Sequence, residues 1–260
     1  MEVIIVADPN AAAEIAADAI GRLIIEKPSA VLGLATGSSP VETYRRLIER
    51  CIAGQISFTD TSAFLLDEYI GLQREHPETY HNFIRRQFTD HIDIDADRVL
   101  GPDGTALDVS ATCEAYELSL QASGGIDIQL LGIGGDGHVG FNEPVSSLGS
   151  RTRVKTLNEQ TRSDNARFFD SIDDVPRHVI TQGIATILEA RHLILIATGS
   201  SKAKPIARAV EGPLCAMVPA SAIQLHPHAT VIVDEPAAAE LELADYYRQT
   251  YHSKPVWQRL

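Results

Sequence analysis

Six short, mostly apolar runs recur along this chain, at 3–7, 30–35, 62–66, 126–131, 193–197 and 229–233, and patterns with helical spacing fall between them. A run that stays apolar without alternating suits a strand covered on both faces, which is the condition of a parallel sheet between two helix layers. Asp8-Pro9 offers a cap and a first-turn proline for a helix to about Glu26, with Ile15, Ala19, Ile20, Leu23 and Ile24 on its inner side. Val41, Tyr44, Leu47, Ile48 and Cys51 mark a second helix, Pro77 opens an aromatic-rich one to Phe88, and Asp108 caps another to about Ala122. A further helical pattern covers 158–169 and carries Arg162 and Arg167, and the residues after 233 read as a short polar tail with Tyr246 and Tyr247. This alternation predicts a single α/β domain: three layers, α/β/α, around a mostly parallel, right-handed, Rossmann-like sheet. At 260 residues one such domain accounts for the whole chain.

The run at 126–131 empties into a loop in which five of nine residues, Gly132 to Gly140, are glycine. Gly132-x-Gly134-x-x-Gly137 satisfies the dinucleotide fingerprint in letters, yet the fingerprint needs a helix to open at its glycines. His138-Val139-Gly140-Phe141-Asn142-Glu143-Pro144 starts a helix poorly, and Asp136 would aim a negative charge at the phosphates. The side chains the loop does carry are Asp136 and His138, with Glu143 just beyond. Two acids and an imidazole on one short ribbon are the composition of a proton-transfer site. The plainer alternative is a glycine-rich surface turn with incidental polar residues. The same three could make a facial metal set, but HExxH and Cys/His spacings are absent, so no metal is expected.

Ala-Thr-Gly-Ser-Ser occurs twice, at 35–39 and at 197–201, each time after an apolar run and before a helix, the second with Lys202 in the first turn. Free amides and hydroxyls at such a turn can grip an anion, although Thr and Ser are also ordinary caps. A lysine at a helix start is disfavoured by the helix dipole, and with the repeat it points to phosphate held by Thr36, Gly37, Ser38, Ser39 and Lys202, the two turns clasping one phosphoester. Asp67 follows the run at 62–66, on the edge where open α/β sheets put their ligands; as a lone residue it reads equally well as a turn acid. The stretch 146–155 is locally basic and would suit either a second anion or a solvated face, and 170–176 is a polar turn able to hinge a flap over about 156–182.

With 22 Lys and Arg against 35 Asp and Glu, a formal charge of −13, and no basic stripe with interleaved aromatics, nucleic acid is not an expected partner. An anionic small ligand therefore needs a local cationic pocket. No apolar run approaches a membrane span, the N-terminus lacks a basic leader region, and the widely spaced Cys51, Cys113 and Cys215 read as reduced thiols; a soluble cytoplasmic protein is expected.

Asp67-Glu68-Tyr69, Gly135-Asp136-Gly137-His138, Phe141-Asn142-Glu143-Pro144 and the run 147–157 resemble the glucosamine-6-phosphate deaminases, within the glucosamine/galactosamine-6-phosphate isomerase family, over nearly the whole chain. The resemblance implies conversion of glucosamine 6-phosphate to fructose 6-phosphate and ammonia in amino-sugar catabolism, with no metal and no organic cofactor. It assigns ring opening to His138, with Asp136 and Glu143 orienting the imidazole, and removal of the C2 proton to Asp67. Phosphate would rest on 36–39 with Lys202, and Arg167 would reach it from the flap. Ser146, Arg153 and Lys155 match an activator site for N-acetylglucosamine 6-phosphate that sits at a subunit interface in hexameric members, so a homo-oligomer is expected. Two other readings stay open: a lactonase of the same fold, and a sugar-phosphate sensor without catalysis.

Overall fold

The computed structural model describes residues 1–255 and Gln258. Its elements run β1 (Glu2–Val6), α1 (Pro9–Glu26), β2 (Val31–Leu34), α2 (Val41–Ile52), β3 (Ser62–Leu65), β4 (Asp67–Tyr69), α3 (Tyr80–Gln87), β5 (Val99–Leu100), α4 (Val109–Ala122) and β6 (Ile128–Leu131). There follow β7 (Arg153–Thr156), α5 (Glu159–Asn165), β8 (His178–Thr181), α6 (Ile184–Leu188), β9 (His192–Ala197), α7 (Ala203–Val210), β10 (Ala229–Asp234) and α8 (Ala244–His252). Seven strands form one parallel sheet in the order β1-β10-β9-β6-β2-β3-β5, with helices on both sides, as the alternation predicts. Every residue of β9 and β10 is buried, which is why those strands carry no alternation.

Chain order reverses between β2 and β6: β2 leads outward to β3 and β5, whereas β6 leads the other way to β9 and β10. The strand ends on either side of such a reversal diverge and leave a crevice. The turn at 36–39 follows β2, and the glycine loop follows β6. At the opposite rim, Asp127 is buried and ties three strand starts together, accepting from Lys27 Nζ at 2.8 Å, the Val31 amide at 2.8 Å and Arg191 Nη1 at 3.0 Å.

Four features depart from the sequence reading. The edge strand β5, only Val99–Leu100, lies outside the six apolar runs. The segments 67–69, 153–156 and 178–181 form a second, antiparallel sheet in the order β4-β8-β7. The basic stretch is thus partly a strand, with Arg153 and Lys155 on its more sheltered face and Val154 and Thr156 exposed. The pattern over 158–169 breaks into α5 and a 3-10 turn at Ala166–Phe168. The tail is not featureless: α8 packs on β1, and Lys254 pairs with Glu2 at 2.7 Å. Its last residues lie outside those described.

Candidate active site

A cavity of about 300 Å³ opens in the crevice, at the small end of ligand-pocket sizes. Its walls include Thr36, Gly37, Ser38 and Ser39 after β2, Asp67 and Tyr69 on β4, Gly132–Gly135 and His138 after β6, Arg167 beside α5, and Lys202 before α7. A Cβ added to Gly132 would stand 3.7 Å from Ser39 Oγ, and Lys202 Nζ donates to the Ile133 carbonyl at 2.7 Å, so turn, loop and lysine are neighbours. Gly37 has φ +86°, a conformation that side-chain-bearing residues rarely adopt, and it turns the chain at the cavity mouth. Burial lowers the Lys202 pKa, Arg167 pushing the same way while Asp164 and Asp136 oppose it.

The second Ala-Thr-Gly-Ser-Ser turn does not join the first. Gly199 repeats the backbone of Gly37, with φ +87°, but its amide is taken by both oxygens of Asp234 at 2.9 and 3.0 Å. Only Lys202 from that end lines the cavity. The expected clasp of two turns is therefore not seen: the first turn and Lys202 line the cavity, and at the second turn the same bend gives its amide to a neighbouring carboxylate.

His138 Nδ1 lies 2.7 Å from Asp136 Oδ1, and the same oxygen accepts the His138 amide at 3.1 Å. Burial opposes ionisation of Asp136, but the hydrogen bonds and charge of His138 outweigh it and hold the carboxyl below its ordinary pKa. With Nδ1 against that carboxylate, Nε2 is the free position for moving a proton. The imidazole rests directly over Gly134, where a Cβ would stand 2.2 Å from Cε1. Glu143 is buried outside the cavity wall, its carboxylate accepting the Asn158 amide at 3.2 and 3.3 Å. Among the described residues no three His, Cys, Asp or Glu side chains converge as metal ligands.

Asp67 sits where the chain leaves the large sheet for the small one, 4% exposed. Burial, then the Glu68 charge, raises its pKa well above the carboxylate range, and a hydrogen bond from the Thr181 hydroxyl partly offsets them. Thr181, which the sequence reading passed over, stands opposite Asp67 in the small sheet and accepts the Phe141 amide at 3.1 Å, so it ties that strand to the Phe-Asn-Glu-Pro motif. Its only sequence signal was a hydroxyl closing the short apolar run of β8. Tyr69 and Tyr80, also missed as site residues, supply aromatic wall; Asn165 Nδ2 donates to Tyr69 Oη at 3.0 Å and fastens α5 over the cavity. Arg162 is held instead by the Ile172 and Val175 carbonyls, within the segment between β7 and β8.

The candidate activator residues lie apart from the cavity wall. Ser146 is buried, and its Oγ meets no hydrogen-bond partner among the described residues. Arg153 Nη1 donates to Asn142 Oδ1 at 2.8 Å, its pKa lowered by burial, and Lys155 lies two residues on along the same face of β7.

The family described as glucosamine-6-phosphate isomerases/6-phosphogluconolactonase matches residues 8–232. A glucosamine-6-phosphate deaminase of Streptomyces coelicolor is 58% identical over 99% of both chains, and one of Mycolicibacterium smegmatis is 57% identical over 99% of both. Among solved structures, one described as a monomeric glucosamine-6-phosphate deaminase superposes with a TM-score of 0.90 at 45% identity, covering 92% of this chain and 100% of that one. A 6-phosphogluconolactonase from Trypanosoma brucei shares the fold at 21% identity, with a TM-score of 0.74 over 92% of this chain and 98% of that one.

Proposed function

The chain belongs to the family of glucosamine-6-phosphate isomerases and 6-phosphogluconolactonases, and from that membership we infer that it converts glucosamine 6-phosphate and water to fructose 6-phosphate and ammonia, a step of amino-sugar catabolism. The observation that carries the reading is that Asp67, His138 and the 36–39 turn line one cavity of sugar-phosphate size. In this reading the turn, Lys202 and Arg167 bind the phosphate. His138, oriented by Asp136, moves a proton from the anomeric hydroxyl to the ring oxygen and opens the pyranose. Asp67 then removes the C2 proton, and the enolamine formed is protonated at C1 and hydrolysed at C2 to release ammonia. Glu143 acts at one remove, through the loop end that its bond to Asn158 fixes.

The flap, about 156–182, closes over bound phosphate through Arg167 and shields the enolamine from water. Ser146, Arg153 and Lys155 take N-acetylglucosamine 6-phosphate as an activator in a cytoplasmic homo-oligomer. The orphaned Ser146 hydroxyl supports that second site, while the monomeric relative argues for a single subunit. Light scattering, with substrate curves taken with and without the acetylated sugar, decides between them. Among the described residues no helix is long and apolar enough to cross a membrane. The test of the activity is an ammonia-coupled assay on glucosamine 6-phosphate: ammonia released in proportion to fructose 6-phosphate is the expected result, and hydrolysis of 6-phosphogluconolactone without ammonia would overturn the reading.

A further inference from the structure

β4 presents Asp67 and Tyr69 to the cavity and Glu68 to the other side, where α3 begins and the 101–105 loop passes. The Glu68 carboxylate is buried and accepts three backbone amides: Tyr69 at 2.8 Å and Tyr80 at 2.9 Å on Oε1, His81 at 3.0 Å on Oε2. Tyr80 and His81 open α3, so the carboxylate holds two otherwise unpaired donors and faces the positive end of the helix. On the loop side the fit is close: a Cβ on Gly104 would stand 1.8 Å from the Tyr69 carbonyl and 3.3 Å from Glu68 Cγ. β4 is thus gripped along both edges, by β8 and by this carboxylate with its loop.

We propose that Glu68 is a positioning residue for the reaction: pinned by three amides at the start of α3, its carboxylate fixes β4 so that Asp67 faces the cavity, and keeps a negative charge directly behind that base. The proposal rests on the deaminase reading, in which Asp67 takes the C2 proton. A buried base needs a reason to accept a proton from carbon, and a neighbouring fixed charge supplies one. Of the two adjacent acids, Glu68 should ionise first: burial pushes both up, but three amides donate to the Glu68 carboxylate and favour its charged form.

The other titratable groups around the pair do not compete in the neutral range. Tyr69, Tyr80 and Tyr116 are pushed up by burial, Thr105 holds Asp103 below its ordinary value, and burial lowers His81. His138 lines the same cavity, so the test must see Asp67 itself.

The experiment follows carboxyl carbons by NMR in ¹³C-labelled enzyme, with Asp67→Asn and Glu68→Gln to assign them, beside pH profiles of ammonia release. In the wild-type enzyme Glu68 should titrate below Asp67, and in Asp67→Asn its midpoint should stay nearly in place, because Glu68 gives up its proton while Asp67 is still neutral. In Glu68→Gln the Asp67 midpoint and the acid limb of kcat should both move about one pH unit down. The plateau kcat should fall several-fold while KM changes little, because the phosphate contacts are untouched. Glu68→Asp should leave the limb in place and lower kcat through lost reach. Asp67 titrating at or below Glu68, or a Glu68→Gln enzyme that loses only thermal stability, overturns the proposal. The order of titration in the wild type tests the proposal even where Glu68→Gln does not fold. Absence of ammonia release by the wild type would defeat the deaminase reading instead, and the coupled titrations would still decide whether Glu68 charges the base.

Discussion

Gly134→Ala isolates the role of the histidine without touching it. Gly134 is not in the left-handed region, so its backbone tolerates alanine; the conflict is with one side chain. The added Cβ would lie 2.2 Å from His138 Cε1 and 2.4 Å from Nδ1 and Nε2, against 3.4 Å or more in ordinary contact. The imidazole must therefore retreat by roughly 1.2 Å, more than its 2.7 Å pairing with Asp136 can absorb. A displacement near 1 Å at a reacting group costs about 10²-fold, or about 2.7 kcal/mol of barrier, rising toward 10⁴-fold where proton transfer is lost outright. The ammonia-coupled assay should show that loss in kcat, with KM nearly unchanged and a melting temperature close to that of the wild type. Gly149→Ala is the control: it lies outside the cavity wall, its φ is ordinary and its Cβ would meet only Ser147 Oγ at 3.8 Å, so activity should stay within about threefold. Because the defect acts through His138, the Gly134→Ala/His138→Ala double variant should be no slower than His138→Ala alone. A Gly134→Ala enzyme with wild-type kcat, or a double variant slower than either parent, would refute the placement of the imidazole as the ring-opening group.

Arg167→Ala should raise KM by about tenfold or more with a smaller effect on kcat, since it removes charge-assisted bonds to a phosphate rather than a reacting group; steady-state kinetics with an unchanged KM would count against it. Asp67→Asn should lower kcat by about 10²- to 10⁴-fold yet melt higher than the wild type near pH 8. Burial and the Glu68 charge raise its folded pKa, so its favourable contribution is complete below the unfolded value near 4 and is lost as pH rises through the folded value; the melting gap should close on acidification. Asp127→Ala should cost about 2 kcal/mol in urea denaturation, chiefly through the buried Val31 amide it leaves unpaired, with kcat intact because it lies at the rim opposite the cavity.

Six strands of the large sheet were legible because they announce themselves, whereas the two-residue edge strand β5, with Leu100 exposed, has no apolar run to mark it. β9 and β10 are apolar at nearly every position since both faces are covered, and each is followed by a turn rich in glycine, hydroxyls or acid. The small sheet was not. β7 alternates basic and exposed residues, β4 has three residues, and neither has the apolar run that marks a buried strand. Their pairing is a tertiary fact, set by where β3 ends and where the flap returns. The same limit governed the site. Asp67, His138 and the 36–39 turn could be nominated from type and place, whereas the fate of the second turn depended on Asp234, distant in sequence. Glu143 shows the converse: an acid close in sequence to His138 whose hydrogen bond goes to Asn158 instead.

The small sheet joins Asp67, the 157–177 segment and the basic strand into one mechanical unit. In its register Thr181 stands opposite Asp67 on one side and Arg153 on the other, so three side chains from distant parts of the chain share one face. Arg153 donates to Asn142 in the motif whose Phe141 amide Thr181 accepts. The segment 157–177, which carries Arg167, leaves from β7 and returns through β8. A segment hung on two strands of a three-stranded sheet cannot move its ends without loading the third strand, β4, which holds Asp67. Movement confined to the middle of the excursion leaves that register intact, so closure should pivot within 157–177 while Asp67 stays fixed. Hydrogen exchange should then find the amides of 179–181 protected whether or not phosphate is bound, with those of 159–174 slowing only when it is. Equal slowing in both segments would mean that the sheet itself moves and that the base is not preset.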